Sequence, residues 1–333
     1  ISKNIVTNLL KGELGFNGLV FTDALNMKGA SDFDKPGEID LAAFLAGNDV
    51  LLISEDIPRA HQLLEKSYNN GIISENRLAH SVKKILYAKY KVGLNNYKPV
   101  ETEKLVEDLN TPIDDVLYEE AIDNALTVLK NENQILPIKK LEGTKIAYVK
   151  FGDDSGENFY NQLQKYTKVD WIKSNTLDGY HEQLSDYDLV IIGFHKSNAN
   201  PWKGYKFTDK ELTWIYEIAR RNKVILDVFA MPYSLLKLTV PLNFEGIIMS
   251  YQNSKVSQEV SAQLIFGARE AKGVLPVSLG KEFPLKTTHF TRKLNRLQYG
   301  TPESVGVSSS RLLKIDSLAR TGLEGDMMPG AQI

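Results

Sequence analysis

Apolar residues along this chain fall into short continuous runs separated by stripes at helical spacing. The run Leu19-Val20-Phe21 is too short for a helix and is bounded by glycines, so it predicts a buried strand with Asp23 where the strand runs out. Ahead of it, Ile5, Leu9 and Leu10 recur at helical spacing over residues 1–14, and Gly15 closes the pattern as a C-cap would. Behind it lie a polar loop over 31–37, a helix over 38–47 and a second buried strand over 49–53. Helices at about 58–69 and 74–90 follow, the latter with Leu78, Val82, Ile85 and Leu86 on one face. Strand, helix, strand, helix is the rhythm of a βα barrel.

Residues 91–112 are polar, contain Pro99 and Pro112, and predict a domain boundary. A helix starting at Asp114 is read through Leu126, Val128 and Leu129. Apolar strands then recur at 146–151, 189–194, 224–229 and 247–251. One intervening helix opens with a capping box, Thr208 and Glu211, ahead of Leu212, Ile215 and Ile218. This alternation predicts an open, mostly parallel sheet covered on both faces.

Composition narrows the function classes. The 333 residues suffice for two domains with cores, and 42% hydrophobic with 25% charged content is ordinary for a globular chain. Forty basic against 42 acidic residues give a net charge of −2, which offers nothing to nucleic acid or an anionic membrane. No apolar run approaches the roughly 18 residues of a membrane span. The absence of cysteine excludes disulfides and thiolate metal sites.

The candidate chemistry centres on Asp23. A carboxylate at the C-terminal end of a barrel strand faces the active-site mouth, where it can serve as nucleophile, general base or metal ligand. The same residue could also merely cap the following turn. Elsewhere, Gly152-Asp153-Asp154-Ser155-Gly156 follows a strand but lacks a phosphate-binding fingerprint. His195 follows another strand, and no carboxylate lies between Gly193 and Lys206. The remaining histidines, His61, His80, His181 and His289, have no metal-ligand spacing. Trp171 and Trp214 sit in apolar contexts, which leaves Trp202 as the indole to test for stacking on a sugar. Ser81–Lys84 and Ser278–Lys281 match Ser-x-x-Lys, a pattern cheap enough to arise by chance.

The run Leu9-Leu10-Lys11-Gly12-Glu13-Leu14-Gly15-Phe16-Asn17-Gly18-Leu19-Val20-Phe21-Thr22-Asp23-Ala24-Leu25-Asn26-Met27 resembles the nucleophile segment of family 3 glycoside hydrolases, most of all their bacterial β-N-acetylglucosaminidase branch. Further matches are Ala46–Leu52, which resembles the family's last barrel strand, Asn131–Pro137 at the entry to its second domain, and Gly273-Val274-Leu275-Pro276-Val277 at that domain's close. The resemblance implies an α/β fold: the C-terminal remnant of a (β/α)8 TIM barrel over 1–95, a linker over 96–113, and an α/β sandwich domain with a mostly parallel sheet over 114–285. Residues 286–333 would be a linker and the start of a serine β-lactamase-like domain, on the strength of Pro302–Leu312 and Met328-Pro329-Gly330-Ala331.

The resemblance also implies a mechanism. Asp23 would attack the anomeric carbon. Ala24 replaces a second Asp often found there, and no Trp follows the nucleophile as it does in the β-glucosidase branch, which favours an N-acetylhexosamine. Met27 and Trp202 are the candidate substrate contacts. The acid/base group of that branch is a His–Asp pair on a loop that would precede Ile1, so the chain reads as a fragment, inactive alone. No cofactor or metal is implied. The partner is a carbohydrate substrate, and the family's habit points to the periplasm or cell surface. A β-glucosidase of the same family and a non-catalytic carbohydrate-binding module of the same fold remain as alternatives.

Overall fold

In a computed structural model, which describes residues 1–200 and 202–330, the chain divides into two compact units, Ile1–Glu103 and Lys104–Ile333. Pro201 of the Trp202 loop and Ala331 of the tail motif lie outside the described residues.

The first unit opens with a π-helix, Asn4–Glu13, closed by Leu14 N–H donating to Leu9 O at 2.9 Å and by Gly15 at φ +67°. Strand β1 (Phe21–Ala24) pairs in parallel with β2 (Val50–Leu52), aligning Phe21 with Val50 and Ala24 with Leu52. Between them run α1 (Lys28–Ser31) and α2 (Glu38–Leu45); α3 (Ile57–Asn69) and α4 (Glu75–Lys91) follow. Asp56 and Ser74 cap the last two through Arg59 N–H and Arg77 N–H. Leu25, Ile39 and Ala43 form the small core, with Ala30 and Leu51 against it.

Two details differ from the sequence reading. The first strand starts at Phe21 rather than Leu19, because the Val20 carbonyl accepts both Asp49 N–H and Val50 N–H and the ladder begins from that anchor. Val20 is buried, whereas Phe21 is 52% exposed. On α4 the apolar residues Leu78, Val82 and Leu86 are exposed and Ser81 is buried. Its inward face is set by Arg77, Ser81 and Lys84, which converge on Asp49.

The second unit is built on six strands: β3 (Thr127–Asn131), β4 (Ile146–Phe151), β5 (Val169–Ile172), β6 (Leu189–His195), β7 (Val224–Phe229) and β8 (Gly246–Met249). Their order is β3-β8-β7-β6-β4-β5, all parallel except the antiparallel pairing of β3 with β8. Helices α5 (Leu105–Leu109), α6 (Pro112–Ala125), α7 (Glu157–Gln164), α8 (Leu177–Leu184), α9 (Asp209–Arg221), α10 (Lys255–Ile265) and α11 (Ser309–Glu324) complete it.

Because side chains alternate along a strand, consecutive residues enter opposite cores. Val149, Ile192 and Leu226 pack with Leu184 of α8 and Ile215 and Ile218 of α9. Tyr148, Ile191 and Ile225 pack with Phe159 of α7 and Ile265 of α10. All of β6 is buried, as expected of a central parallel strand. The capping box on α9 is present, Thr208 Oγ1 accepting from Glu211 N–H and Glu211 from Thr208 N–H.

Here too the sequence reading needs amendment. Val128 and Leu129 belong to β3, not to a helix, since α6 stops at Ala125 and the chain turns extended at Leu126 to pair with β8. Strand β5 escaped notice because Asp170 interrupts its apolar run. Among the described residues no helix is long and apolar enough to cross a membrane.

Candidate functional site

Asp23 lies within β1, one residue before its end, and is exposed. Its Oδ1 accepts from Ala24 N–H at 2.8 Å, a local bond that orients the carboxylate and leaves Oδ2 open. The chain then turns through Leu25, which is buried and donates its N–H to Leu52 O at 2.9 Å. Met27 N–H closes the turn onto Ala24 O at 3.1 Å, and its side chain is exposed beside that turn. Asp23 and Met27 thus share one turn at the end of a strand, positioned by the ladder to β2.

A buried carboxylate braces this strand pair. Asp49 Oδ2 accepts Val20 N–H at 3.1 Å, and Oδ1 accepts Ser81 Oγ–H at 2.5 Å. Lys84 Nζ, Lys11 Nζ and an Arg77 guanidinium nitrogen stand 3.4, 3.6 and 3.6 Å away. Burial by itself would push the Asp49 carboxyl up. The Ser81 and Val20 donors with the Lys11 and Lys84 charges outweigh it and hold it below the usual carboxylate value. The same cations clamp the backbone: Lys84 donates to Gly18 O at 2.9 Å and Arg77 to Asn48 O at 2.7 Å. The Ser81–Lys84 pair is therefore part of this brace; Ser81 is 2% exposed and spends its proton on Asp49.

In the second unit the strand order reverses between β4 and β6, the position where doubly wound sheets bind ligands. Here protein groups fill it. Gly152 N–H donates to Glu211 Oε1 at 3.0 Å, Asp154 N–H to His195 O at 3.3 Å, and Asp153 pairs with Lys196 at 3.5 Å. A carboxylate already sits on the Gly152 amide and two more line the loop, an arrangement that repels phosphate.

His195 ends β6 with its ring stacked on Phe229, centroids 4.5 Å apart. Its Nε2 accepts the Tyr148 hydroxyl at 2.8 Å and its Nδ1–H donates to Asn253 Oδ1 at 2.7 Å, the Asn253 amide nitrogen being committed to Ser155 O. Burial pushes its pKa down to about 3, so the imidazole stays neutral. Gly193 and Gly156 make room for it: a Cβ at either would strike the His195 ring and Tyr148. His195 is a packing element.

Trp202, in the loop after β6, is 92% exposed, with its indole free to stack; its backbone N–H donates to Asn200 Oδ1 at 3.1 Å. Trp171 packs against Tyr160 and Tyr148, and Trp214 against Tyr180. The sequence reading passed over three buried acids, Asp40, Asp49 and Asp227. Asp227 accepts Ser250 and Ser261 hydroxyls at 2.6 and 2.5 Å, and burial pushes its pKa up to about 7 despite them. A lone acid in the apolar run Val224-Ile225-Leu226-Asp227-Val228-Phe229 was the available signal.

Residues 1–88 match the glycosyl hydrolase family 3 N-terminal domain. The chain is similar over 332 residues, at 21% identity, to a protein of Formosa agariphila described as a β-xylosidase, covering 87% of this chain and 42% of that protein. It is 25% identical over 140 residues to a β-N-acetylglucosaminidase/β-glucosidase of Cellulomonas fimi, covering 42% of this chain and 25% of that one. The structure of a glycoside hydrolase family 3 β-N-acetylglucosaminidase from Paenibacillus sp. FPU-7 superposes with a TM-score of 0.60 at 22% identity, covering 84% of this chain and 54% of that one. The chain thus spans less than half of either sequence relative.

Proposed function

We propose that this chain carries the nucleophile segment of a retaining glycosidase acting on terminal β-N-acetylglucosamine, with Asp23 as the nucleophile. The observation that carries the reading is the setting of Asp23: exposed, on a strand paired in parallel with β2, inside the span that matches the family 3 domain. A lone pair on Asp23 Oδ2 forms the ester bond to the anomeric carbon. The glycosidic bond breaks, its electrons go to the aglycone oxygen, and an acid/base group about 5 Å from the nucleophile donates the proton. Water then attacks the same carbon, gives its proton to that group and frees Asp23.

The reading takes a His–Asp pair, as in the N-acetylglucosaminidase branch that the sequence resembles, as the acid/base group. Met27, in the turn after Asp23, is read as a sugar contact, and Trp202, in the second unit, as an indole able to stack on a sugar. The segment from Pro302 onward is read as the opening of a β-lactamase-like domain. Ala24, with no bulky residue beside Asp23, leaves space for an acetamido group. The Cellulomonas fimi relative, described for both activities, supports a second reading as a β-glucosidase of the same family.

The test is a 2-deoxy-2-fluoroglycoside inactivator applied to the enzyme with its acid/base loop, followed by peptide mass spectrometry. The label is expected on Asp23. A label on any other carboxylate overturns the assignment.

A further inference from the structure

A cavity of about 700 Å³ lies in the second unit beside the edge strand β3, and it is bordered by Lys139, His289 and Arg292 but by no Asp or Glu. One wall is the loop after β3. There the Asn131 side chain clamps Leu136, accepting its N–H and donating to its carbonyl, both at 2.9 Å. Within this clamp Asn133 and Gln134 take left-handed conformations, φ +50° and +55°, which cost a non-glycine residue of order 1 kcal/mol or more. Gln134 Oε1 accepts from Lys139 Nζ at 3.1 Å, so this ammonium is held by a neutral partner.

The other wall is the segment from His289 to Leu294. It is pinned by His289 N–H to Val128 O at 2.8 Å and by Leu294 N–H to Gly267 O at 2.7 Å. Thr291 is turned inward, its Oγ1 accepting Ala271 N–H at 2.8 Å. Its neighbours Phe290 and Arg292 are exposed, Phe290 by 68%. Arg296 anchors the backbone at Lys139 by donating to Ile138 O and Lys139 O at 2.7 and 2.8 Å.

We propose that this cavity is a second carbohydrate site, separate from Asp23, which takes a saccharide bearing a carboxylate or a phosphate. A guanidinium and an ammonium on anchored backbone suit a planar or tetrahedral oxyanion. The exposed phenyl ring of Phe290, two residues before Arg292 on the same wall, offers an apolar face to sugar C–H groups. The uniform sign of the border disfavours a neutral ligand's competitor, a cation. The volume is within the range of small-ligand sites.

The test is calorimetric titration of the 333-residue protein with glucuronic acid, glucose 6-phosphate, glucose and inorganic phosphate. The two sugar acids should bind saturably, with glucose and inorganic phosphate at least about tenfold weaker. Preference between the two acids identifies the oxyanion. Arg292→Gln and Lys139→Gln should each weaken the sugar acids about tenfold, the worth of one charge-assisted hydrogen bond. Phe290→Ala should weaken them and leave inorganic phosphate unchanged. All three residues are exposed, so the variants retain the fold. Inorganic phosphate binding as tightly as the sugar acids, or Arg292→Gln binding unchanged, overturns the proposal. The titration involves no turnover, so its failure leaves the reading of Asp23 standing.

Discussion

Asp49 Oδ2 accepts the backbone N–H of Val20 at 3.1 Å, so the acid at the entrance to β2 holds the residue that leads into β1. Three cations and Ser81 surround the same carboxylate. Asp49→Ala strands these charges and frees the Val20 amide. Breaking a buried ion pair by removing one partner costs about 3 kcal/mol. Urea unfolding should show that loss, with Ser81→Ala costing about 1 kcal/mol. A midpoint unchanged for Asp49→Ala would remove the brace from the account of how Asp23 is positioned.

Asp23→Asn should keep the stability of the parent enzyme, because the side chain is exposed and its one hydrogen bond is accepted by an oxygen that asparagine retains. Turnover should fall by about 10⁴ or more, the loss typical of removing a covalent nucleophile. Steady-state kinetics with normal kcat would sink the assignment.

Aryl glycosides rank the substrates. With the acid/base loop present, the β-N-acetylglucosaminide should be cleaved faster than the β-glucoside and the β-xyloside. Equal or reversed kcat/KM values would replace the N-acetylhexosamine reading with the glucosidase one and leave Asp23 in place.

Stability should depend on pH through two buried groups with opposite signs. Asp227, pushed up to about 7, is neutral in the fold while the unfolded chain is ionised above about pH 4. Its contribution is therefore present at low pH and is lost as pH rises through 7. His195, held down to about 3, contributes above about pH 6.5 and loses that contribution as pH falls toward 3. Urea midpoints between pH 4 and 9 should separate them. Asp227→Asn should remove the decline toward pH 7 and steepen the rise from pH 4 to 6.5; His195→Gln should leave the decline alone. Parallel profiles for wild type and both variants would contradict this.

How far the sequence could be read follows from where each signal lives. Strands β4 and β7 were legible to the residue, because a central parallel strand is apolar on both faces and needs no context. Asp23 was legible as a candidate because an acid two residues beyond a short apolar run is conspicuous. Strand β3 was not, because Val128 and Leu129 continue a helical stripe and only pairing with β8 makes them extended. Nor was the exposed face of α4. Periodicity finds a stripe of leucines, but the Asp49 charge, 30 or so residues away in sequence, decides which side of the helix turns inward.

The sheet of the second unit ends at β3, and an edge strand offers unpaired backbone groups to any other chain. His289 N–H occupies one of them, the Val128 carbonyl, and the segment that follows is tied down at Thr291, Leu294 and Arg296. These residues act as a guard rail against self-association. A proteolytic cut at the exposed Leu285 or Lys286 would loosen it without touching a core residue. The expected sign of damage is then clumping of otherwise folded molecules through β3, well before any loss of helix.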